Sequence, residues 1–432
     1  MSESPAPGFQ KNRKGAFFLL FTALLAIGAG NTMLTAAVLP PLTVELGLPL
    51  WMAGAIFSMS AVLWSLASPF WGIKSSQWGR RPVAALGLTG YSVSMLLFGS
   101  VGWLALNGHI TGSYVIFACL LLSRSVFGLV GSGTTPAAQA YVADRTSPED
   151  RTREIASVTS GFSVGAIAGP AFAAGLVAVF GLLSPMFFTC IGAAVIGFLI
   201  YTRLPENTPP ETTPDPLEGS VDPFETSPLA QTEARGEAPT AKHLWRHPRV
   251  LPYLIYAVGL SLITGILMQT FGFAVMDKMG VTGAEATQFI APAFSVGAMG
   301  TLIAQLVLIP RLTLSNRSLM IVGAIILSIG AFLIIPTNQD TYAILIIAQF
   351  LIGTGQGLSR PGFSAGASLA VGPHLQGNVA GLVISANGMG FIVSPILGLY
   401  VYEEVGRNIP FAIAGILLII LAVFARTALQ KD

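Results

Sequence analysis

Charged side chains are scarce in this sequence: 22 Lys and Arg and 20 Asp and Glu make up 10% of its 432 residues, against 53% hydrophobic residues. A soluble globular domain carries about 25% charged residues, because polar groups must cover its surface. The chain is also too apolar to be disordered. Two cysteines are too few for a disulfide scaffold, and a net charge of +2 does not indicate nucleic-acid binding. The composition therefore indicates a protein that crosses a membrane several times.

Long apolar runs are what the sequence has instead. A membrane-spanning helix needs about 20 mostly apolar residues, and the sequence contains twelve such runs. They lack the alternation of a membrane β-barrel, so we predict an all-α membrane protein with twelve transmembrane helices. The first run is longer than a signal-peptide core of about 7–15 residues, and we expect it to be retained. The runs are 15–40, 50–73, 83–105, 113–142, 153–180, 184–203, 249–276, 284–309, 318–336, 341–370, 377–402 and 408–427.

Basic residues are distributed unequally between the two sides that these runs define. The tails and loops on the side of the termini hold 18 of the 22 Lys and Arg residues, and the opposite side holds Lys278 and Arg407. The positive-inside rule predicts that both termini are cytoplasmic. We expect a multi-pass protein of a plasma membrane, as in the bacterial inner membrane.

A polar stretch rich in Pro, Thr and Glu separates the first six runs from the last six. The halves are related, because Gly128 and Pro170 of the first half match Gly353 and Pro395 of the second, 225 residues later in both cases. We predict two pseudo-symmetric six-helix bundles, an architecture of secondary transporters with the site between the halves. The predicted units are an N-terminal tail (1–14), a first bundle (15–203), a cytoplasmic linker (204–248), a second bundle (249–427) and a C-terminal tail (428–432).

Four motifs occur in order along the first half. Pro40 lies near the end of the first run, and the loop Gly72–Arg81 fits G-x-x-x-D-x-x-G-R-R except at Ser76. Residues 124–128 fit R-x-x-Q-G except at Phe127, and residues 165–170 fit G-x-x-x-G-P. Together they resemble the major facilitator superfamily, and within it the drug:proton antiporters of the tetracycline-efflux type. The resemblance implies an exporter with alternating access, whose gating residues would be Gly72, Ser76, Gly79, Arg80, Arg81, Gly165, Gly169 and Pro170.

Acidic residues depart from the pattern of that family. All 20 Asp and Glu fall in loops, tails or ends of runs, so no run has a carboxylate at mid-depth. Asn31 stands in the first run, where many proton-coupled relatives carry Asp or Glu. Ser76 replaces the loop Asp, which in relatives helps to hold the outward-open state. A gating interaction at this loop is therefore expected to be weakened or replaced.

Two arginines lie inside runs. Arg124 is about 16 Å from the outer end of the fourth run at 1.5 Å per residue, and Arg360 lies towards the other side in the tenth. Intramembrane arginines usually face a bundle interior or water. Helical spacing puts each on a stripe, one of Arg124, Gly128, Gly131 and Thr135 and one of Gln349, Gly353, Gln356 and Arg360. We expect both stripes to face a central cavity; the alternative is that the arginines bond backbone carbonyls as structural groups.

An arginine without a carboxylate nearby favours anions or repels cations. We therefore expect neutral, zwitterionic or anionic amphipathic substrates. The candidate substrate-binding residues are Arg124, Asn31, Gln269, Gln349, Gln356, Arg360, Asn387 and Trp64. The polar ones among them could equally be interhelical hydrogen-bonding groups.

The function predicted from these features is secondary active export of small molecules. Proton antiport needs a group that titrates, and Arg124 cannot supply one. Asp144, Glu154 or the substrate itself would have to supply that group. The alternatives are a uniporter or a lipid or lysolipid translocator without proton coupling, and, in another class, a non-transporting membrane sensor. An intramembrane enzyme would need a nucleophile and a base at depth, so we expect none. We also expect a monomer in contact with membrane lipid, without cofactor, metal or nucleic-acid partner.

Overall fold

The computed structural model describes residues 7–146, 148–206, 241–312, 314–371 and 376–429. Within these ranges the chain forms twelve helical segments long and apolar enough to cross a membrane, and no strand. The predicted all-α fold with twelve transmembrane helices is confirmed. Residues 207–240 of the predicted linker lie outside the described ranges, and residues 241–246 form a short 3₁₀-helix before the second half.

The twelve spans are numbered here in chain order. Spans 1 to 6 consist of Pro7–Thr32, Met33–Val38 and Leu39–Glu45 (span 1), Leu50–Trp78 (span 2), Arg80–Leu106 (span 3), Ser113–Leu129, Gly131–Gly133 and Thr134–Ala143 (span 4), Pro148–Phe180 (span 5) and Ser184–Arg203 (span 6). Spans 7 to 12 consist of Leu251–Met279 (span 7), Gly283–Ile303, Ala304–Leu308 and Ile309–Leu312 (span 8), Asn316–Ile334 (span 9), Gln339–Thr341 and Tyr342–Leu369 (span 10), Gln376–Tyr400 and Val401–Val405 (span 11) and Ile409–Ala428 (span 12).

Several spans change their helical pitch. Span 4 passes through one 3₁₀ turn at Gly131–Gly133, where two glycines flank a serine and tolerate a tighter backbone. Spans 1, 8 and 11 contain π-helical segments at Met33–Val38, Ala304–Leu308 and Val401–Val405. Such wider turns re-aim side chains and are frequent at functional sites. All three segments recur below at the cavity or at the contact between the halves.

Glycines allow the helices of each half to approach closely. A Cβ at Gly165 of span 5 would collide with the Leu25 carbonyl of span 1, and a Cβ at Gly353 of span 10 would collide with the backbone of Gly297 in span 8. Small residues at helix contacts are typical of membrane bundles, because dispersion and close packing hold helices together in lipid. These glycines therefore fix the arrangement of helices within the two bundles.

The two halves touch each other on one side of the molecule. Twelve spans put both ends of the chain on one side, called here the terminal side; the opposite side is called the far side. On the far side Gly54 of span 2 lies against the Pro395 carbonyl of span 11, and a Cβ at Gly272 of span 7 would lie 2.7 Å from Pro40. The Thr287 hydroxyl of span 8 also donates to the Ala37 carbonyl at 2.8 Å. The halves are therefore closed against each other on the far side.

Candidate functional site

A cavity of about 340 Å³ lies between the two halves. Spans 1 and 5 form its wall in the first half, and spans 7, 8, 10 and 11 form its wall in the second. This volume falls within the range of about 300–1,000 Å³ that is usual for small-molecule sites. The cavity is therefore the candidate substrate site.

The cavity is closed at its inner end and exposed towards the terminal side. At the inner end, Ala36 of span 1 and Gln349 and Ile352 of span 10 are buried. Nearer the terminal side, Ser160 of span 5 and Arg360 of span 10 are exposed. Since the halves are in contact on the far side, a solute would enter this conformation from the terminal side.

The second half supplies the strongly polar part of the cavity wall. Gln305 of span 8 and Gln349, Gln356 and Arg360 of span 10 all line the cavity. Arg360 is the ionisable side chain among the described lining residues, and no described carboxylate pairs with it. The Gln349 side chain is only 6% exposed, and its Oε1 has no hydrogen-bond partner. This wall thus offers a cation and amide groups to a solute.

The first half supplies a mostly apolar wall. Phe162, Val164 and Ile167 of span 5 face the cavity together with the hydroxyl group of Ser163. Aromatic rings from the second half, those of Phe294 and Phe391, also line it. The cavity therefore combines a large apolar surface with a polar group of side chains on spans 8 and 10, which suits an amphipathic solute.

Two of the π-helical segments lie at the cavity. Ala36 lies within the segment of span 1, and Gln305 lies within the segment of span 8. A local π turn shifts the register of the side chains that follow it. The segments thus help to set which side chains of spans 1 and 8 face the cavity.

A larger cavity of about 630 Å³ lies elsewhere, at the ends of spans 1 and 5 on the terminal side. Its described lining residues, which include Lys14, Phe17, Phe18 and Phe21, all belong to the first half. A site between the halves is what alternating access uses, so the smaller central cavity is the better candidate.

The predicted substrate-binding residues divide into two groups. Gln349, Gln356 and Arg360 of span 10 line the cavity, and their role in binding a substrate stays a prediction. The stripe on span 4 packs elsewhere in this conformation: a Cβ at Gly128 would lie 2.8 Å from the Ser60 carbonyl of span 2. The predicted residues placed outside the described cavity wall are Arg124, Asn31, Gln269, Asn387 and Trp64.

Arg124 is enclosed within the first half. Its side chain is 1% exposed, and its Nη2 donates to Asn31 Oδ1 at 2.9 Å. The guanidinium lies 4.5 Å from the centre of the Phe127 ring and 5.5 Å from that of Phe57, and desolvated cation–π contacts are more favourable than exposed ones, at about 2 kcal/mol. Nε and Nη1 have no hydrogen-bond partner. Arg124 ties span 4 to span 1 here, and its role in substrate binding stays a prediction.

Of the remaining three candidates, Asn387 and Trp64 contact residues of their own half. Asn387 of span 11 accepts a hydrogen bond from Ser261 of span 7 at 2.7 Å. The Trp64 ring of span 2 lies 5.0 Å from the Phe127 ring, and Gln269 is buried on span 7. In this conformation Asn387 is an interhelical hydrogen-bonding residue, the alternative that its sequence position left open.

Comparisons with known proteins agree with this architecture. The family model for the Major Facilitator Superfamily matches residues 20–383 and 293–432. The chain belongs to the major facilitator superfamily. It is therefore a transporter and a multi-pass integral membrane protein, as the motifs of the first half predicted.

Relatives and solved structures of this superfamily cover nearly the whole chain. Multidrug resistance protein 1 of Bacillus subtilis is 25% identical over 401 residues, which are 93% of this chain and 92% of that protein. Major facilitator superfamily domain-containing protein 10 of Mus musculus is 25% identical over 358 residues, 79% of this chain and 71% of that protein. A bacterial homologue of the human lysosomal transporter Spinster aligns with a TM-score of 0.69 and 16% identity, covering 99% of this chain and 98% of that one. A D-xylose–proton symporter aligns with a TM-score of 0.72 and 14% identity, covering 96% and 97%.

The superfamily loop between spans 2 and 3 is held by contacts within the first half. Arg80 Nε lies 3.0 Å from Asp144 Oδ2 at the end of span 4. The Glu206 carboxylate accepts hydrogen bonds from the backbone N–H groups of Arg80 and Arg81 at 2.9 and 3.0 Å. These N–H groups at the start of span 3 thereby gain a partner, and the negative charge interacts favourably with the helix dipole. Gly79 allows this arrangement, because its φ is +100° and a Cβ there would lie 2.5 Å from Glu206.

Ser76, at the position of the superfamily Asp, is exposed and donates to the Ile73 carbonyl one turn earlier in span 2. A Cβ at Gly72 of the same helix would lie 4.0 Å from Pro136 Cβ of span 4, which is ordinary van der Waals contact. In span 5, a Cβ at Gly169 would collide with Thr32 of span 1, and Pro170 lines the cavity. Gly165 and Gly169 thus serve contact within the first half, and the gating roles of all these residues stay predictions.

A carboxylate of the second half closes the far side. Glu403, in the π-helical segment of span 11, accepts hydrogen bonds from the backbone N–H groups of Leu50 at 2.9 Å and Trp51 at 3.4 Å. These groups belong to the first turn of span 2, which follows Pro49 and has no side-chain cap of its own. A carboxylate at a helix N-terminus is stabilised by the free N–H groups and the helix dipole. Glu403 thereby connects the two halves.

Sequence reasoning missed several residues of the site. Gln305, Phe162, Phe294 and Phe391 line the cavity but were not among the candidates. The repeat at 225 residues gave no signal for Gln305 and Phe294, because it matches only spans 4, 5, 10 and 11. Phe162 and Phe391 lie on spans 5 and 11 but outside the matched glycine and proline positions. Gln305 carried a usable signal, since an amide in an apolar run usually faces the bundle interior.

Proposed function

We propose that this transporter exports amphipathic small molecules, whether neutral, zwitterionic or anionic, by alternating access between its two halves. The observation that supports this most is the amphipathic cavity between the halves, with an apolar wall on span 5 and amide groups and Arg360 on spans 8 and 10. In the conformation described, the cavity would load from the terminal side. Rocking of the halves would then break the far-side contacts and release the solute there.

The proposed orientation in the membrane sets the compartment to which the cavity opens in this conformation. The positive-inside rule puts the terminal side, with its 18 Lys and Arg residues, in the cytoplasm. The conformation would then be inward-open, in a plasma membrane such as that of a bacterium. The name of the Bacillus subtilis relative, a multidrug resistance protein, supports export over uptake.

The energy source is the second part of the proposal. No Asp, Glu or His lines the part of the cavity that the structure describes. Asp144, one candidate for proton coupling, is paired with Arg80 on the terminal side. This favours, as a second candidate function, a uniporter in which the gradient of the substrate itself drives transport.

A resistance and efflux screen over amphipathic compounds tests the export proposal. Cells would express the wild type, Ala298→Trp or Met299→Trp. Ala298 lines the cavity, so a tryptophan there fills the site, whereas the neighbouring Met299 is 57% exposed on the outer face of span 8. We expect wild type and Met299→Trp to confer resistance and Ala298→Trp to confer none. Equal resistance with Ala298→Trp, at equal membrane abundance, would place transport outside this cavity.

A further inference from the structure

The inference concerns the chemical class of the solute in the central cavity. We infer that the substrate is an organic anion, whose acidic group pairs with Arg360 while its apolar body lies against span 5. This inference rests on the proposed function and narrows it from amphipathic molecules in general to amphipathic acids.

The first argument is charge balance. Arg360 is exposed to the cavity, and no hydrogen bond or ion pair joins it to a described residue. A guanidinium is always protonated, and in a membrane such a charge faces a water-filled cavity or pairs with an acid or a backbone carbonyl. The described cavity wall holds no acid to neutralise it. A carboxylate, sulfonate or phosphate on the solute would supply the missing partner with bidentate geometry.

The contrast with Arg124 shows that Arg360 is placed differently. Arg124 is enclosed, bonded to Asn31 and covered by two aromatic rings. Arg360 has none of these partners and stands at the open end of the cavity. A structural role accounts for the first arginine, whereas the second is positioned for a solute.

The second argument is the polarity of the surrounding wall. Gln305 and Gln356 line the cavity in the same half as Arg360, and their amide groups can donate to further oxygens of an oxyacid. Deeper in the cavity, the buried and unpartnered Oε1 of Gln349 can accept a hydrogen bond from a hydroxyl or N–H group. The site therefore orients an amphipathic acid with its charged group towards spans 8 and 10.

The third argument is the position of the apolar surface. Phe162 and Ile167 of span 5 lie on the wall of the first half, and the Phe294 ring of span 8 lines the same cavity. An aromatic or aliphatic body would be buried there while the acid remains at Arg360. Such a solute would bridge both halves, which is what coupling of binding to their movement requires.

A matched series of three ligands tests the inference: pyrenebutyrate, pyrenebutanol and pyrenebutylamine share one apolar body and differ in the charge of the head group. Binding to the purified full-length protein would be measured by pyrene fluorescence. We expect the acid to bind most tightly and the amine most weakly. Arg360→Gln should weaken binding of the acid by about tenfold or more, since hydrogen bonds to charged groups are worth about that much, and should change binding of the alcohol less than twofold.

Two further variants keep the result interpretable. Arg360→Lys retains the charge without the planar fork and should recover part of the affinity for the acid. Arg311→Gln removes an exposed arginine at the terminal end of span 8, outside the described cavity wall, and should change nothing. A lipid acid and a free organic acid carry the same head-group chemistry. An anionic lysophospholipid is therefore added as a competitor, to distinguish these two sources of the ligand.

The outcomes separate this inference from the proposed function. If the alcohol or amine binds as tightly as the acid, or if Arg360→Gln leaves binding of the acid unchanged, the inference is overturned while export of amphipathic molecules still stands. If none of the three ligands binds, the inference is overturned as well, and the resistance screen decides the proposed function independently.

Discussion

Removing the Glu403 carboxylate should shift the transporter towards the conformation that is open on the far side. Glu403 caps the first turn of span 2 from the opposite half through Leu50 and Trp51. These contacts exist only while the far side is closed, so they stabilise the terminal-open conformation selectively. Glu403→Gln keeps a neutral acceptor and loses the charge, whereas Glu403→Ala loses both hydrogen bonds.

The size of the shift follows from these contacts. A charge near an exposed helix N-terminus contributes about 0.3–1 kcal/mol, so Glu403→Gln should raise the population open on the far side by about two- to fivefold. For Glu403→Ala we expect about 1–2 kcal/mol, because one hydrogen bond is well formed at 2.9 Å and the other is long at 3.4 Å. That corresponds to a change of about five- to thirtyfold.

Double electron–electron resonance measures these populations. Spin labels on cysteines introduced at His109 and Asp340 report the far-side separation of the halves, since these exposed residues follow span 3 and lie in the first turn of span 10. The native Cys119 and Cys190 would first be replaced by serine. We expect the long-distance fraction to rise in the order wild type, Glu403→Gln, Glu403→Ala.

Glu404→Gln is the matched control, because this neighbouring carboxylate is also exposed but does not cap span 2. It should leave the distance distribution unchanged. If Glu403→Ala gave the wild-type distribution, or if Glu404→Gln shifted it equally, the proposed role of the Glu403 cap in closing the far side would be refuted.

Three further predictions concern packing, the buried arginine and the driving force. Gly353→Val should lower the thermal unfolding midpoint in detergent by several degrees or prevent folding, because its side chain would collide with the span 8 backbone and overpacking costs about 1–3 kcal/mol. Gly175→Ala should leave the midpoint unchanged, because nothing lies within 4 Å of a Cβ there. Equal midpoints for the two variants would contradict this packing. In a double-mutant cycle, Asn31→Ala should destabilise the wild type by about 1–3 kcal/mol more than it destabilises Arg124→Met. The reason is that in the wild type Asn31→Ala leaves the buried Arg124 charge without its hydrogen bond. Additive effects would show that the pair is not coupled. Flux of a permanently charged organic anion into proteoliposomes should respond to a membrane potential, worth about 2.3 kcal/mol per 100 mV, and not to a pH gradient; a flux that responds to the pH gradient as well as to the potential would favour proton antiport.

The general fold was accessible from the sequence because the bilayer imposes simple rules. Runs of about 20 apolar residues must be helices, and the repeated Gly128–Gly353 and Pro170–Pro395 pairs revealed two related halves. Both of these glycines do lie where a span of the same half approaches closely. The superfamily was accessible for a different reason. Its short motifs, one of them the loop Gly72–Arg81, can be read directly from the sequence.

The site was only partly accessible, because two equivalent stripes are used differently. Helical spacing placed Gln356 and Arg360 on one face of span 10, and this face lines the cavity. The same spacing on span 4 could not show that Arg124 would be covered by Phe57 and Phe127 from two helices. Contacts of this kind depend on helix rotation within the bundle, which a single helix does not encode.

The π-helical segments were inaccessible from the sequence for another reason. A period of 3.6 residues predicts the helix face of each side chain that follows Ala304 only if the helical pitch is constant. The π-helical segment Ala304–Leu308 changes that pitch. Gln305 in this segment and Glu403 in the segment of span 11 are the residues that sequence reasoning left without a role. Neither segment contains a proline or a glycine that would signal a change of pitch.

The most direct test of the central claim is efflux of pyrenesulfonate, which stays charged, from proteoliposomes that contain the purified full-length protein. Wild type and Met299→Trp should release it faster than protein-free vesicles, and Ala298→Trp should release it no faster than those vesicles. Release by Ala298→Trp at the wild-type rate, or by the wild type at the protein-free rate, would contradict transport of organic anions through the cavity between the halves.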